Sequence, residues 1–275
     1  MMSRQPPSNL PFIFREVAKN ELALLTGRLP EEKAGLLLGH PAVEALKPFA
    51  TVAVPATGGQ SLSGFLALIK SEYREKDRPF PRILTPSPEV ASSPEMQEIR
   101  DYLIVYDFVE TERQVMMCLK RKKLYRARDV ELSPASFPEL AGDFREQFLS
   151  ALAEAHHYEE EFAEPGFTSP HEGVDFQPVL ARREESPAGL ATILHHDLEY
   201  RLQALFVAPE HRGMRVGETL VSDFLERGQN SGAMFLSAVI PAGSNFFFYL
   251  GRFNFEAVLK FTLWTPPSPD FFEEP

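Results

Sequence analysis

The chain has 275 residues, which is enough for one large domain or for two domains of ordinary size. Hydrophobic residues make up 44% and charged residues 24%, so the chain as a whole is not a disordered, collagenous or coiled-coil protein. Lys and Arg number 28 against 39 Asp and Glu, a net charge of −11 that disfavours a nucleic-acid partner. The single cysteine, Cys118, excludes an internal disulfide and lies among apolar residues typical of a buried strand.

Two apolar segments bear on membrane attachment or export, and neither has the required pattern. The apolar patch at residues 10–14 is too short for a signal sequence, so we expect a cytoplasmic protein. The longest uncharged run, residues 233–251, is interrupted by Pro241 and Gly243, which predicts a strand, a break and a helix rather than a membrane span.

The first half of the chain is predicted to be mostly sheet. Residues 49–54 and 64–70 have strand-like composition and are joined by a glycine-rich turn. Two further strands are predicted at residues 104–109 and 114–119. We therefore expect a β-rich N-terminal domain over residues 1–121.

The second half begins with a helical pattern at residues 138–162. Three strands are then predicted as a meander, at residues 176–182, 189–195 and 200–207. A helix with one apolar stripe begins near Val216, and a buried strand follows at residues 233–240. Strand, glycine-bearing loop, helix and strand make a βαβ unit beside the antiparallel meander, so the fold class is mixed α/β (α+β).

A weak internal sequence repeat relates the two halves of the chain. The matching positions are Phe49, Val52, Gly64 and Pro86 in the first half and Phe176, Val179, Gly189 and Pro209 in the second. The first half is therefore either a diverged copy of the second or an unrelated β-rich cap.

Residues 205–220, LFVAPEHRGMRVGETL, carry the most specific signal in the chain. A strand that ends at Val207, a proline turn and an Arg-Gly loop at a helix start present free backbone N–H groups to an anion. The stretch has no GxxxxGK[ST] pattern, and only Gly213 and Gly217 are glycine, which disfavours nucleoside triphosphates and NAD. The pattern predicts a pyrophosphate-binding loop.

This segment resembles motif A of the GNAT acyltransferase superfamily, whose pattern is Gln/Arg-x-x-Gly-x-Gly/Ala after a strand ending in Val-x-Pro. Arg212, Val216 and Gly217 match this pattern. One position departs from it, because Arg215 stands where the family has its middle glycine.

The resemblance implies a GNAT acyltransferase domain over residues 122–265, followed by a proline-rich tail at 266–275. It also implies a GNAT-like mixed, mostly antiparallel sheet with flanking helices. The fold then has two halves, of which the first is either a degenerate GNAT-like domain or an unrelated β-rich cap. The co-substrate is then acetyl-CoA or another acyl-CoA, and no metal is required.

The resemblance assigns cofactor-binding roles along the loop and its flanks. The pantetheine arm pairs with the backbone at the end of the strand, beside Phe206 and Val207. The phosphates meet the backbone amides of Gly213, Met214, Val216, Gly217 and Glu218. Arg212 and Arg215 are the other predicted cofactor-binding residues of this loop. Asn245, at the start of the next helix, completes the predicted cofactor site.

Tyr249 is the predicted general acid, because the family's acid is a tyrosine on this helix. If Asn254 and Phe255 stand for the family's Gly-Phe, Leu250 occupies the tyrosine position and Tyr249 is displaced by one residue. Catalysis by Tyr249 and simple packing beside its phenylalanine neighbours both remain open.

The predicted base is Glu199, acting through a water molecule. Many family members carry a glutamate on this strand where the chain has Arg201, and Glu199 lies on the same strand face. His195 and His196 in the preceding turn are alternatives.

Two charged stretches lie outside the motif. The His- and Glu-rich residues 154–161 are explained by a charged helix end, so no metal site is predicted. The basic residues 120–128 are either a solvated strand edge or part of a surface that attracts the adenosine 3′-phosphate of CoA.

These features predict an acyl-CoA-dependent N-acyltransferase acting on an amine of a small molecule or peptide. The alternative is a GNAT-fold module without turnover that binds CoA or another protein. The phenylalanines at 246–248 leave a longer acyl donor open, and a homodimer is left open as well.

Overall fold

The computed structural model describes residues 9–26, 31–33, 35–38, 51–54, 60–118, 124–136, 140, 142–156, 175–268 and 271–272. The chain packs as two compact units, one formed by residues 1–114 with 258–275 and the other by residues 115–257. None of the helices in the described ranges combines the length and apolarity needed to span a bilayer. The domain limits predicted from the sequence, at residues 121 and 265, stay predictions.

The first unit contains three helices and a small mixed sheet. Its helices are α1 (Leu10–Thr26), α2 (Leu62–Glu72) and α3 (Pro94–Val105). Its strands are β1 (Glu31–Lys33), β2 (Leu36–Leu38), β3 (Thr51–Ala53) and β4 (Arg82–Pro86), with part of β5 (Val109–Cys118) and of β11 (Phe255–Thr265). Strand β3 runs parallel to β4 with α2 between them in sequence, and β11 lies antiparallel to β4.

The predicted strands at residues 64–70 and 104–109 are wrong. Residues 64–70 belong to α2, where the Ser61 hydroxyl caps the helix by accepting from the amide of Gly64, and Phe65 and Ile69 share one buried face. Ile104 lies in α3, and the chain then forms the single strand β5. In a short buried helix the apolar residues are dense enough to give the same pattern as a strand, so the sequence alone does not separate the two.

The structure contradicts the weak internal sequence repeat at one of its four pairs of matching positions. Gly64 lies in a helix, whereas its counterpart Gly189 lies in the middle of a strand. Each unit nevertheless contains one pair of parallel strands joined through a helix. Whether the first unit is a diverged copy of the second stays a prediction.

Glu72, at the end of α2, provides a test of stability in the first unit. Its buried carboxylate accepts from the ammonium group of Lys33, at 2.8 Å, and from that of Lys76. These hydrogen bonds lower the pKa of Glu72 from near 4.5 to about 2. We expect Glu72→Gln to lower the free energy of unfolding at pH 7 by about 1–2 kcal/mol, since both lysines are partly solvated.

The pH dependence of that loss follows from the direction of the shift. A pKa that is lower in the folded state contributes its full stability above the unfolded value and loses it as the pH falls towards 2. Urea denaturation between pH 7 and pH 2 should therefore show the wild type converging on the variant. Exposed Glu75→Gln is the control, and a difference that persists unchanged at pH 2 would contradict the ion-pair account.

The second unit is an antiparallel meander extended by one parallel strand. Its strands are β6 (Glu131–Pro134), β7 (Asp175–Arg183), β8 (Ser186–His196), β9 (Glu199–Val207) and β10 (Phe235–Pro241). Its helices are α4 (Gly142–His156), α5 (Val216–Asn230) and α6 (Asn245–Gly251). Strand β9 pairs antiparallel with β8 and parallel with β10.

The elements predicted for the second half are confirmed within the described residues. The meander, the helix from Val216 and the buried strand after it are all present, and α4 forms within the predicted helix at 138–162, whose last six residues lie outside the described ranges. The apolar stripe of α5, including Val216, Leu220 and Phe224, is almost fully buried against the meander. This packing fixes the first turn of α5 at the end of β9.

Candidate active site

A cavity of about 740 Å³ lies in the second unit at the N-terminal end of α5. The end of β9, the loop that follows it, the first turn of α5 and the helix α6 with the turn after it contribute to its walls. Among the predicted cofactor-binding residues, those that line it are Val207, Arg212, Gly213, Arg215, Val216, Gly217 and Glu218. Tyr249 of α6 lines the same cavity, so the structure brings the predicted loop and the predicted acid together.

Three predicted cofactor-binding residues do not line this cavity. The Phe206 side chain is buried against Phe144 and Phe148, with ring centroids 5.5 and 5.9 Å apart. Asn245 is exposed at the start of α6. Met214 is exposed and lines a smaller adjoining cleft.

The loop between β9 and α5 leaves several backbone donors free. The first bond of α5 joins the Thr219 amide to the Arg215 carbonyl, at 3.0 Å. The amides of Val216, Gly217 and Glu218 therefore have no partner within the helix, and they lie at its positive end. The Arg212 side chain donates to the Val207 carbonyl at 3.2 Å and ties the loop to the strand end. Such an arrangement suits a diphosphate.

Arg215, the departure from the family pattern, keeps the backbone geometry of a glycine. It precedes α5 with φ 61° and ψ 13°, in the left-handed region. A side chain in that region costs about 1–2 kcal/mol. The positive φ that the loop requires here explains why the family has a glycine at this position. Arg215 adopts the same φ at the cost of backbone strain.

We expect Arg215→Gly to raise the melting temperature by about 2 °C, because relief of the left-handed strain outweighs the added entropy of the unfolded chain. Arg212→Gly is the matched control, since Arg212 has an ordinary φ of −66° and its replacement should lower the melting temperature. Differential scanning calorimetry measures both. A lower melting temperature for Arg215→Gly would show that the arginine side chain stabilises the loop by more than its backbone strain costs.

The structure settles on which side of α6 Tyr249 lies. Leu250 is fully buried in the core, whereas the Tyr249 ring faces the cavity, stacked on Phe246 with centroids 5.8 Å apart. A Cβ atom at Gly217 would lie 2.6 Å from the Tyr249 hydroxyl oxygen, so the hydroxyl rests against the first turn of α5. Burial raises the pKa of Tyr249, and the nearby Glu218 carboxylate raises it further.

Arg252 and Glu218 form an ion pair beside this tyrosine. Arg252 Nη2 lies 2.8 Å from Glu218 Oε1, and the Arg252 guanidinium carbon lies 6.0 Å from the Tyr249 ring centroid. Both residues line the cavity. The pair offsets the negative charge that Glu218 brings close to the free amides of α5.

Glu199, the predicted base, is not brought to the cavity. It is fully buried, and its two carboxylate oxygens accept from Arg201 Nε and Nη2, both at 2.9 Å. The Ser237 hydroxyl donates to the same carboxylate. This geometry makes Glu199 the ion-pair partner of Arg201 and a tie between β9 and β10, not a base open to substrate.

An irregularity in β9 explains why Glu199 lies away from the cavity. The register with β8 shifts at Gln203, which has no partner opposite it. Before this bulge Leu202 packs in the core beneath α5, and after it Leu205 and Val207 do so. The extra residue inverts the alternation of side chains, so Glu199 and Val207 point to opposite faces despite their even spacing.

Three polar residues of the lining were not predicted from the sequence: Tyr125, His211 and Arg252. His211 precedes the motif directly, and its Nδ1 is buried without a hydrogen-bond partner among the described residues. Tyr125 lies in an irregular segment whose amide donates to Ser222 Oγ of α5 at 3.0 Å. Of these three residues only His211 is next to the motif in sequence, so only His211 could have been predicted from the motif to line the cavity. The alternatives His195 and His196 do not line the cavity.

Part of the chain matches a known family. Residues 137–247, less than half of the chain, match the model of the acetyltransferase (GNAT) family. No curated protein sequence matches the chain. The resemblance identified from the Arg212–Gly217 motif is confirmed, because the matched residues include this motif and lie within the second unit.

Solved structures share the fold at low sequence identity. The GCN5-related N-acetyltransferase from Kribbella flavida superposes with a TM-score of 0.60 over 94% of this chain and 96% of its own, at 14% identity. A putative GNAT-family acetyltransferase from Novosphingobium aromaticivorans gives 0.52 over 94% and 99%, at 13% identity. A tandem GNAT protein from the clavulanic acid biosynthesis pathway gives 0.52 over 95% and 88%, at 13% identity. The predicted fold class, GNAT-like with a mostly antiparallel sheet and flanking helices, is confirmed.

Proposed function

We propose that this protein is a cytoplasmic, acyl-CoA-dependent N-acyltransferase that transfers an acetyl group to an amine of a small molecule or peptide. One observation carries the proposal: the free amides at the start of α5 and the Tyr249 hydroxyl open into one cavity. A Cβ atom added at Gly217 would lie only 2.6 Å from that hydroxyl. A phosphate-binding turn and a proton donor that line one cavity suit a donor that carries its diphosphate and its thioester at opposite ends of a pantetheine arm.

Donor binding follows from the charges at the α5 end of the cavity. The amides of Val216, Gly217 and Glu218 donate to the diphosphate, and the helix dipole favours its negative charge. Arg212 and Arg215 add guanidinium groups at the same loop. The pantetheine arm extends along Leu205 and Val207, which provide an apolar wall.

The chemical step transfers the acyl group from sulfur to nitrogen. The neutral amine attacks the thioester carbonyl carbon, the C–N bond forms, and the C–S bond breaks as the tetrahedral intermediate collapses. Tyr249 gives its hydroxyl proton to the departing thiolate, so CoA leaves as the free thiol. Burial raises the pKa of Tyr249, so the hydroxyl is protonated at neutral pH, and a proton from solvent restores it after each turnover.

The proton that the amine loses passes to solvent. The described lining of the cavity contains one carboxylate, Glu218, and that group is ion-paired with Arg252. The acceptor must therefore bind in its neutral form. The rate at fixed acceptor concentration should accordingly rise with pH towards the acceptor's own pKa.

Calorimetry with acetyl-CoA, desulfo-CoA and octanoyl-CoA tests donor binding, and thiol release across a panel of amines tests turnover. We expect acetyl-CoA to bind and at least one amine to release CoA thiol, while matched alcohols do not. Failure of all three CoA ligands to bind would overturn the proposal. Binding without thiol release from any amine would favour the alternative, a CoA-binding module without turnover. Tighter binding of octanoyl-CoA would assign a longer acyl donor.

A further inference from the structure

A second cavity, of about 490 Å³, adjoins the first and shares Gly213 and Arg215 with it. Four arginines contribute to its lining: Arg126, Arg128, Arg183 and Arg215. Asp129 is the one acidic residue in the same lining. We call this the arginine cleft.

The arginine cleft holds more positive charge than its acidic neighbours neutralise. Arg126 is paired with Glu226, and Arg183 Nε lies 2.7 Å from the Asp129 carboxylate. Arg128 and Arg215 have no ion pair within the described residues. Two uncompensated guanidinium groups therefore face one cleft in a protein whose net charge is −11. Such a local field attracts an anion against the field of the rest of the molecule.

The segment that carries Arg126 and Arg128 is held in place by α5. The Ala127 amide donates to Thr219 Oγ1 at 3.1 Å, and the Arg126–Glu226 pair fixes the segment one residue earlier. Residues 124–127 form no strand, so the strand-edge interpretation of this basic stretch is wrong over those residues, while residues 120–123 lie outside the described ranges. The contacts hold Arg128 beside the first turn of α5.

We propose that the arginine cleft binds the 3′-phosphate of CoA and makes the protein select CoA over dephospho-CoA. The inference rests on the proposed function, because it extends the donor site. A ligand that fills both cavities must place one anion at the amides of α5 and a second, separate anion in the arginine cleft. CoA carries its diphosphate and its 3′-phosphate on one ribose, so the two anions lie a short distance apart.

Arg215 connects the two parts of the donor. It lines both cavities, and its guanidinium has five N–H donors with which it can contact two phosphates. Arg128 lines only the arginine cleft. The two residues are thus expected to differ: Arg128 recognises the 3′-phosphate alone, whereas Arg215 also contributes to the diphosphate site.

Calorimetry with CoA and dephospho-CoA distinguishes the inference from the proposed function. We expect the wild type to bind CoA about tenfold or more tightly than dephospho-CoA, the difference of one charge-assisted phosphate site. Arg128→Gln should weaken CoA binding by about that factor and leave dephospho-CoA binding unchanged, while Arg215→Gly should weaken both. Arg182→Gln is the matched control, because Arg182 neighbours Arg183 on β7 but does not line the cleft.

Each outcome has a separate meaning. Equal affinity of the wild type for the two ligands would overturn the cleft assignment and leave the acyltransferase proposal standing. An equal loss for both ligands in Arg128→Gln would also overturn it, because the effect would not depend on the 3′-phosphate. Binding of neither ligand to folded wild-type protein would overturn the proposed function itself.

Discussion

Tyr249→Phe is expected to lower turnover by about a hundredfold or more while CoA affinity and melting temperature stay close to those of the wild type. The ring supplies the packing on Phe246 and Phe253, and phenylalanine retains it. The hydroxyl supplies the proton for the leaving thiolate. The substitution therefore separates the two roles that the sequence left open for this residue.

The direction of the pKa shift adds a second measurement. Burial raises the pKa of Tyr249 above the ordinary value near 10, so the protonated form that catalysis requires persists to higher pH than for a free tyrosine. The turnover number should show no loss attributable to this group until the pH exceeds about 10. An alkaline decline centred near pH 8 that disappears in Tyr249→Phe would contradict this assignment.

Tyr125→Phe is the matched control for Tyr249→Phe. Tyr125 lines the same cavity but is 49% exposed, and the atoms nearest to a Cβ at Gly217 belong to Tyr249 and Val207. Removal of the Tyr125 hydroxyl should change the turnover number by less than about threefold. If Tyr249→Phe retained its full turnover number with an assayable acceptor, the proton would have to come from water or another side chain.

The sequence was sufficient for the parts of the site that a local pattern determines. The loop after Val207 and the apolar stripe of α5 are set by residues close in sequence, and the structure places both as predicted. The family resemblance rested on that loop. Helices α2 and α3 begin at the capping residues Ser61 and Ser93, but residues 64–70 of α2 and the last residues of α3 also have strand-like composition, which favours the wrong element.

Two features of the site depend on geometry that no local pattern contains. The bulge at Gln203 inverts the faces of β9, so Glu199, which shares a strand face with Arg201, points away from the face of Val207 and from the cavity. The orientation of Tyr249 is determined by the burial of Leu250 in the core, a packing outcome that the alignment of Asn254 with a family glycine could not supply. The arginine cleft likewise joins residues distant in sequence, Arg128, Arg183 and Arg215.

Gly217→Asp is expected to weaken CoA binding by at least about tenfold. The new carboxylate stands among the free amides of Val216 and Glu218, where it repels a diphosphate and competes for the same donors. Its Cβ also meets the Tyr249 hydroxyl, so turnover should fall together with affinity. Unchanged CoA affinity in a folded variant would place the donor site elsewhere on the protein.

Gly217→Ala separates the steric part of this effect from the charge. An alanine Cβ would lie 2.6 Å from the Tyr249 hydroxyl oxygen but 3.4 Å from the ring carbon that carries it. Alanine should therefore destabilise the wild type by about 1–3 kcal/mol and be tolerated in the Tyr249→Phe background, where the nearest ring atom is at ordinary contact distance. Urea denaturation of the four proteins of this double-mutant cycle measures the coupling, expected to exceed about 0.5 kcal/mol. Strictly additive effects would show that the Tyr249 hydroxyl does not rest against Gly217 and would contradict this placement of the proton donor.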